Sequence, residues 1–256
     1  MAKRKMVLPT ESHLTIDRHL DWEGSFNARD LGGFRTAGGG RTRWGAVVRA
    51  DRLDGLTGRG WAALYDHGTR TIVDLRNDDE IGENPAARPP GLTTVRVPLD
   101  DISDTEFWQY CWDNDLDGSP LYYRPFLDRK PERCAAAVAA VARARPGGVV
   151  IHCGCGRDRT GLVTMLLLAL VGVAPEDIAS DYELSAERLR PHFAALGQPD
   201  QGPVIEEILV RKRTSARALL LGILASLDVE AYLRSGGLTD DDLRAVRARL
   251  VDPAAA

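Results

Sequence analysis

A strand, a glycine-rich loop and a helix follow one another between residues 149 and 171, and this run constrains the fold more than any other part of the chain. The β-branched residues 149–151 predict a buried strand, and the mostly apolar segment Leu162–Val171 predicts a helix. Between them, Gly154 and Gly156 permit a tight loop whose backbone N–H groups turn inward. The loop therefore lies at a helix N-terminus, where unpaired N–H groups and the helix dipole favour an anion.

This loop carries a cysteine and an arginine in a setting that suits phosphate chemistry. Thiols at helix N-termini near arginine are readily deprotonated, so Cys153 is the predicted nucleophile and a cysteinyl phosphate the predicted intermediate. The planar guanidinium of Arg159 is expected to bind two phosphate oxygens. Thr160 is expected to donate its hydroxyl to the departing sulfur. His152 is expected to orient the loop rather than act as a base, because an alternating strand points it away from the thiol.

The backbone N–H groups of the loop are expected to stabilise the remaining negative charge. A simpler interpretation is a buried cysteine that ends a core strand and has no function. The glycine spacing and the helix that follows favour the catalytic interpretation. The predicted phosphate-binding residues are Gly154, Cys155, Gly156, Arg157, Asp158 and Arg159.

The residues His-Cys-x-x-Gly-x-Asp-Arg-Thr-Gly at 152–161 resemble the signature of the cysteine-based protein tyrosine phosphatases, in particular their atypical bacterial and fungal branch. Asn27–Gly33 resembles the N-terminal motif of that branch, and Ile72–Arg76 followed by Glu80 resembles one of its strand ends. The similarity extends from Trp22 to Val251. It implies an α/β fold: a central, mostly parallel sheet flanked by helices, a phosphatase-type P-loop between a strand and a helix, and a C-terminal helical region like a lid.

Two loop residues depart from the pattern of that branch. Arg157 stands where lysine is usual, which keeps the charge but changes reach and hydrogen-bond geometry, and this leaves the substrate preference open. Cys155 stands where a small residue such as alanine is common, and a small filler is the favoured interpretation. The alternative is a redox partner for Cys153, although a Cys-x-Cys disulfide would be strained.

The general acid has several candidates, because the reaction must protonate the leaving oxygen and then activate water. Asp158 ranks first, since the equivalent aspartate is the proposed acid in similar bacterial phosphatases. Asp74 ranks second because it ends a predicted strand at the edge where α/β folds bind ligands. Asp100 and Asp101 occupy the place of the mobile acid loop of other tyrosine phosphatases, and Asp101 ranks third.

The resemblance implies hydrolysis of phosphate monoesters, with phosphotyrosine in proteins as the leading substrate. A phosphoinositide, a nucleotide or another small phosphorylated metabolite is the main alternative, because the loop recognises phosphate and little else. A catalytically inactive phosphate-binding module is less favoured, since the cysteine, aspartate and arginine of the motif are all present. No cofactor and no metal are expected: a zinc site at His152, Cys153 and Cys155 would lack a second cysteine pair.

Composition and hydropathy indicate which partners and locations the chain can have. A net charge of −4 and a pI near 5.8 argue against a nucleic-acid partner. No apolar run reaches membrane-spanning length and the N-terminus lacks a signal-peptide core, so a cytoplasmic protein is expected, while secretion without a signal peptide stays open. The oligomeric state stays open too. Residues 1–20 are predicted to be a tail and residues 21–256 a single domain.

The coarse pattern predicts alternating strands and helices with two less regular regions. Residues 99–125 are rich in tryptophan and tyrosine, which either wall the pocket or pack a long loop onto the core. Residues 184–214 are predicted to be helical with breaks near Pro191 and at 197–203, forming either a lid or a structural pair. The predicted strands are Gly45–Arg49, Thr71–Leu75, Thr94–Pro98 and Val149–His152, and the predicted helices are Thr57–Asp66, Pro131–Ala144, Thr160–Val171 and Pro175–Arg190.

Overall fold

One mixed sheet of five strands lies at the centre of the computed structural model, which describes residues 17–82 and 86–252. The strands are β1 (Arg29–Asp30), β2 (Val47–Ala50), β3 (Thr69–Asp74), β4 (Thr93–Arg96) and β5 (Gly148–His152). Their order in the sheet is β1-β2-β5-β3-β4, and only β1 runs antiparallel to its neighbour. All four predicted strands are confirmed; the two-residue β1 was not predicted, because it is too short to show a period.

The central strand β5 is buried along its whole length, as its β-branched sequence predicts. Val149 and Ile151 face the larger hydrophobic cluster, and Val150 faces the smaller one on the opposite side of the sheet. In the register, Ala50 and Asp74 both pair with His152. The carboxyl ends of β2, β5 and β3 therefore meet at one edge, where α/β sheets bind ligands.

Helices cover both faces of this sheet. The segment at residues 22–28 and α1 pack on one face, and most of the remaining helices pack on the other. The four predicted helices are confirmed as α1, α4, α5 and α6. The described part of the chain forms α1 (Gly58–Asp66), α2 (Thr105–Asp113), α3 (Tyr123–Arg129), α4 (Pro131–Ala142), α5 (Asp158–Leu170), α6 (Pro175–Ala195), α7 (Gly202–Arg211), α8 (Ala216–Ser226), α9 (Val229–Ser235) and α10 (Asp240–Leu250).

The predicted helix break at Pro191 is wrong. Helix α6 continues through Pro191 to Ala195, and the chain leaves the helix only near Gly197. Proline costs one backbone hydrogen bond in a helix interior. Here His192 and Phe193 are buried just after it, and these contacts keep the last turn in place.

The aromatic region at 99–125 is more regular than predicted, since it contains α2 and the start of α3. Tyr122, Tyr123 and Phe107 are buried and meet neighbouring rings edge to face. Most of the aromatic area therefore packs the core. The exceptions are Tyr110 and Trp112, each more than half exposed.

Two further predictions concern the ends of the domain and the membrane. The predicted tail lies largely outside the described residues, but His19 forms an isolated bridge with Arg29, so the chain contacts the sheet before residue 21. The division into a tail and one domain stays a prediction. Within residues 17–82 and 86–252, no helix combines the length and apolarity that crossing a bilayer requires.

Candidate active site

Cys153 follows β5 directly, and the loop from 153 to 157 leads into the first residue of α5, Asp158. The thiol is 2% exposed and is not in a disulfide. Gly156 adopts a φ of +66°, and a Cβ there would lie 2.4 Å from the carbonyl oxygen of Ala50. Only glycine fits this turn, which confirms the sequence argument for a tight loop at this position.

Arg159 lies one residue inside α5 and contacts two carboxylates. Its two terminal nitrogens donate to both oxygens of Glu80, with Nη2–Oε1 at 2.5 Å. Its Nη1 also lies 3.1 Å from Oδ2 of Asp100. Although burial opposes the effect, the hydrogen bonds to Glu80 and the charge of Cys153 raise the pKa of Arg159. The guanidinium is therefore permanently charged and electrostatically coupled to the thiol.

The two carboxylates differ in their protonation. Burial raises the pKa of Asp100 to about 6; Arg159 opposes this rise and Glu80 adds to it. Burial acts in the raising direction on Glu80 too, but the hydrogen bonds and charge of Arg159 and the hydrogen bond from the Asn77 backbone together lower the pKa of that carboxyl. Glu80 thus holds Arg159 as an anion, whereas Asp100 can carry a proton near neutral pH.

Asp74, the second-ranked acid candidate, lies beneath the loop. Its oxygens accept from Nε and Nη2 of Arg76 at 3.0 and 2.9 Å, and its Oδ1 lies 3.7 Å from Nε2 of His152. Despite burial, which acts the other way, the hydrogen bonds from Arg76 lower the pKa of Asp74. Burial lowers the pKa of His152, which is 2% exposed. This group braces the ends of β3 and β5.

Asp158, the first-ranked candidate, is the first residue of α5, and its side chain is 20% exposed. Its Oδ1 and Oδ2 each lie 3.2 Å from nitrogens of Arg157, which also donates to Oε1 of Gln201 at 3.1 Å. Arg157 thereby joins the loop to the start of α7.

A cavity of about 360 Å³ borders Arg157 between α6 and α7. Its lining is mostly apolar and includes Tyr182, Leu189, Phe193 and Leu209. The helical region predicted as a lid or a structural pair thus borders a cavity next to the loop at residues 153–157.

The remaining predicted site residues occupy different environments. Thr160 is fully buried and its hydroxyl has no hydrogen-bond partner among the described residues, so the predicted donation to the sulfur is not formed in this structure. Burial and the charge of Cys153 raise the pKa of Cys155 to about 12. That thiol is protonated at neutral pH, as suits a filler. Asp101 pairs with Lys130, which immediately precedes α4, and with Arg133 of α4.

Of the residues that contact the loop or Arg159, Asn27, Arg49 and Glu80 were given no role from the sequence, and Asp100 was named as an acid candidate but not ranked. Asn27 and Arg49 donate to loop carbonyls from behind, and Glu80 and Asp100 contact Arg159 from the front. Asn27 and Glu80 belong to the motifs that carry the family resemblance, so the motifs were the available signal for them. Among the described residues, no three histidine, cysteine or acidic side chains group as metal ligands would.

Comparison with known proteins gives one family and several relatives. Residues 20–252 match the model of a family described as the tyrosine phosphatase family. A candidate tyrosine-protein phosphatase of Cupriavidus necator is 31% identical over 168 residues, which make up 63% of this chain and only 61% of that protein. A tyrosine-protein phosphatase of Nostoc commune is 27% identical, covering 80% of this chain and 74% of the relative. The triple-specificity protein phosphatase PtpB of Mycobacterium tuberculosis is 26% identical, covering 89% and 97%.

Proposed function

Because the chain belongs to the tyrosine phosphatase family, we propose that it hydrolyses phosphate monoesters through a cysteinyl phosphate, with phosphotyrosine in proteins as its leading substrate. One observation carries the proposal: Cys153 and Arg159 stand at the two ends of a single loop, which joins β5 to α5 at the carboxyl edge of the sheet. Three relatives named as phosphatases support it.

The loop supplies each part of the reaction. The Cys153 thiolate attacks phosphorus and displaces the alkoxide or phenoxide of the substrate. Arg159 and the inward N–H groups bind the three non-bridging oxygens, and they stabilise the charge in the transition state. Water then attacks the cysteinyl phosphate, which releases inorganic phosphate and restores the thiolate.

The leaving oxygen needs a proton, and two carboxyl groups flank the loop. Asp158 keeps the first rank that the sequence gave it. Asp100 is the second candidate, because it is the carboxyl group next to Arg159 whose pKa of about 6 allows it to be protonated near neutral pH. Asp74 and Asp101 are weaker candidates for holding a proton: hydrogen bonds from Arg76 lower the pKa of Asp74 despite its burial, and those from Lys130 lower the pKa of Asp101.

Hydrolysis of p-nitrophenyl phosphate in the presence of EDTA is the first test. Activity that resists the chelator supports charge neutralisation by Arg159 and backbone N–H groups. Loss of activity that a divalent ion restores would show that the mechanism is wrong. A panel of phosphotyrosine, phosphoserine and phosphothreonine peptides, phosphoinositides and nucleotides then ranks the substrates.

A small phosphorylated metabolite or a phosphoinositide is the second candidate substrate. The cavity beside Arg157 favours it, because a mostly apolar space of ligand size adjoins the phosphate loop. A kcat/KM that is highest for one such compound in the panel would replace phosphotyrosine as the leading substrate.

The proposal extends to the compartment. A catalytic thiolate is the first group that an oxidant attacks, so a reducing bacterial cytoplasm suits an enzyme whose cysteines are free thiols. The three relatives come from bacteria, which supports the bacterial origin. Fractionation of the source cells, with the activity assayed in each fraction, tests the location.

A further inference from the structure

The backbone carbonyls of the catalytic loop point away from the phosphate side, and each of three successive ones meets a donor. The Gly154 oxygen accepts from the N–H of Arg52 at 2.9 Å. The Cys155 oxygen accepts from the side-chain amide of Asn27 at 3.0 Å, and the Gly156 oxygen accepts from Nη2 of Arg49 at 2.7 Å. All three donors belong to the N-terminal part of the chain.

A trans peptide places its carbonyl and its N–H on opposite sides. When the carbonyls of residues 154, 155 and 156 are held outward, the N–H groups of residues 155, 156 and 157 are therefore held inward. These N–H groups form the anion-binding concavity of the loop. Donors behind the loop thus determine the direction of the groups in front of it.

The Asn27 side chain is fixed in the orientation that this contact needs. Its amide oxygen accepts from Nη1 of Arg29 at 2.5 Å, which leaves the amide nitrogen facing the loop. Its backbone N–H donates to Oδ1 of Asp51 at 3.1 Å. Asn27 is fully buried, so water cannot replace either partner.

One carboxylate of α6 holds both arginines of this network. Asp181 accepts from Nε of Arg29 at 3.0 Å and from Nη1 of Arg49 at 2.7 Å. Burial opposes its ionisation, but the charges of Arg29 and Arg49 keep the pKa of Asp181 well below its usual range. A single buried charge therefore positions both side-chain donors.

We propose that Asn27 and Arg49 are positioning residues that hold the loop N–H groups toward the phosphate before any substrate binds. The inference rests on the proposed function, because it assigns the binding surface of that same site. It gives Asn27, the first residue of the Asn27–Gly33 motif, a role: its side chain supports the loop on the face away from the phosphate and does not touch substrate.

The test measures binding of inorganic phosphate and vanadate by variants with the donor removed. Asn27→Leu removes the donor without adding charge, and Asn27→Asp keeps the acceptor for Arg29. Both are expected to bind phosphate about three- to tenfold more weakly, the range of one hydrogen bond, with KM rising in parallel. If only the Asp variant weakens binding, its added charge is the cause and the proposal is wrong.

Asp30→Asn is the matched control. Asp30 is also fully buried in the N-terminal segment and accepts from the N–H groups of Gly32 and Gly45, but it does not contact the loop. The control is expected to lower the melting temperature and keep phosphate affinity within about twofold. An equal loss of phosphate affinity in the control would mean that general destabilisation, not positioning, explains the result.

Nuclear magnetic resonance of the unaltered chain provides a second test that does not depend on how the variants fold. The side-chain amide protons of Asn27 are expected to exchange slowly with solvent before phosphate is added, and to change little afterwards. Protection that arises only with phosphate would overturn the proposal. If the chain neither binds phosphate nor hydrolyses esters while Asn27 stays protected, the proposed function fails instead, so the two failures are distinguishable.

Discussion

The two sides of the catalytic loop are built from different kinds of residue. The inner side presents one thiol, one guanidinium and backbone N–H groups, all within seven residues of sequence. The outer side is a buried hydrogen-bond network from separate parts of the chain, in which Asn27 and Arg49 donate to the loop and Asp181 accepts from Arg49. In the proposed mechanism, the inner side carries the chemistry and the outer side holds the loop in its conformation. Substitutions on the two sides should separate turnover from stability.

The largest effect is expected on the inner side, at Cys153→Ser. A serine hydroxyl is a far weaker nucleophile, so kcat should fall by roughly 10⁴-fold or more, while phosphate affinity stays within about tenfold. Steady-state kinetics and phosphate titration measure both. Cys155→Ser is the matched control in the same loop and should keep most of the activity. Turnover near the parent rate in the Cys153 variant would remove the nucleophile assignment.

The acid candidates flank the inner side, and leaving-group dependence ranks them. Asp158→Asn should lower kcat by about 10²- to 10⁴-fold for phosphotyrosine, and less for p-nitrophenyl phosphate, because a general acid matters most for a basic leaving oxygen. The same series on Asp100→Asn, Asp74→Asn and Asp101→Asn completes the ranking. If Asp158→Asn slows all esters equally and Asp100→Asn shows the leaving-group signature, Asp100 is the acid.

On the outer side, Asp181→Asn removes the charge of the carboxylate that pairs with Arg29 and Arg49. It leaves Arg29 and Arg49 buried without their counter-charge, so the free energy of unfolding should fall by about 3–5 kcal/mol at neutral pH. The pKa of Asp181 is lower in the folded state than in the unfolded state, so its stabilising effect is present at neutral pH and is lost in acid. The difference in free energy of unfolding between the parent and Asp181→Asn should therefore become smaller below about pH 4, where the unfolded-state carboxyl is protonated. Urea unfolding measures it.

The exposed pair between Arg43 and Asp252 provides the control for that measurement. Asp252→Asn should cost less than about 1 kcal/mol at any pH. A similar loss of unfolding free energy in Asp181→Asn and Asp252→Asn would mean that the buried ion pairs stabilise the fold no more than the exposed pair does.

The smallest effect is expected in the pH dependence of anion binding, because the buried carboxyl group of Asp100 lies beside Arg159 of the inner side. As the pH rises through about 6, Asp100 becomes charged next to Arg159 and competes with an anion. Sulfate keeps the same charge in this range, so a change in its binding reports the protein alone. The affinity of the protein for sulfate should fall by about tenfold as Asp100 ionises, the equivalent of one pKa unit. Calorimetric titration should find this fall reduced in Asp100→Asn and retained in Asp101→Asn. Equal profiles in all three proteins would contradict the assignment.

The inner side could be predicted from the sequence because its residues are adjacent. A β-branched strand, two loop glycines and an apolar helix place Cys153 and Arg159 together without tertiary information. The same local signals gave four strands and four helices. Pro191 was misread, because the buried contacts of His192 and Phe193 that keep α6 continuous come from distant residues.

The outer side could not be predicted from the sequence, because its contacts join residues far apart in the chain. Asn27 and Cys155 are 128 positions apart, and Arg49 and Asp181 are 132 apart. The local sequence pattern indicates which residues are buried and whether they form a helix or a strand. It does not indicate which buried arginine pairs with which carboxylate. The sequence could not distinguish Asp100 from Asp101 for the same reason: adjacent aspartates look alike until the fold places one beside Arg159 and the other beside Lys130.

Trapping of the phosphorylated enzyme tests the central claim most directly. The chain is mixed with a phosphotyrosine peptide, quenched in acid within milliseconds, digested with pepsin and sequenced by mass spectrometry. The account predicts phosphate on the sulfur of Cys153, formed in a burst before steady-state release of phosphate. Phosphate on another residue, or steady turnover with no phosphorylated enzyme at any time, would contradict it.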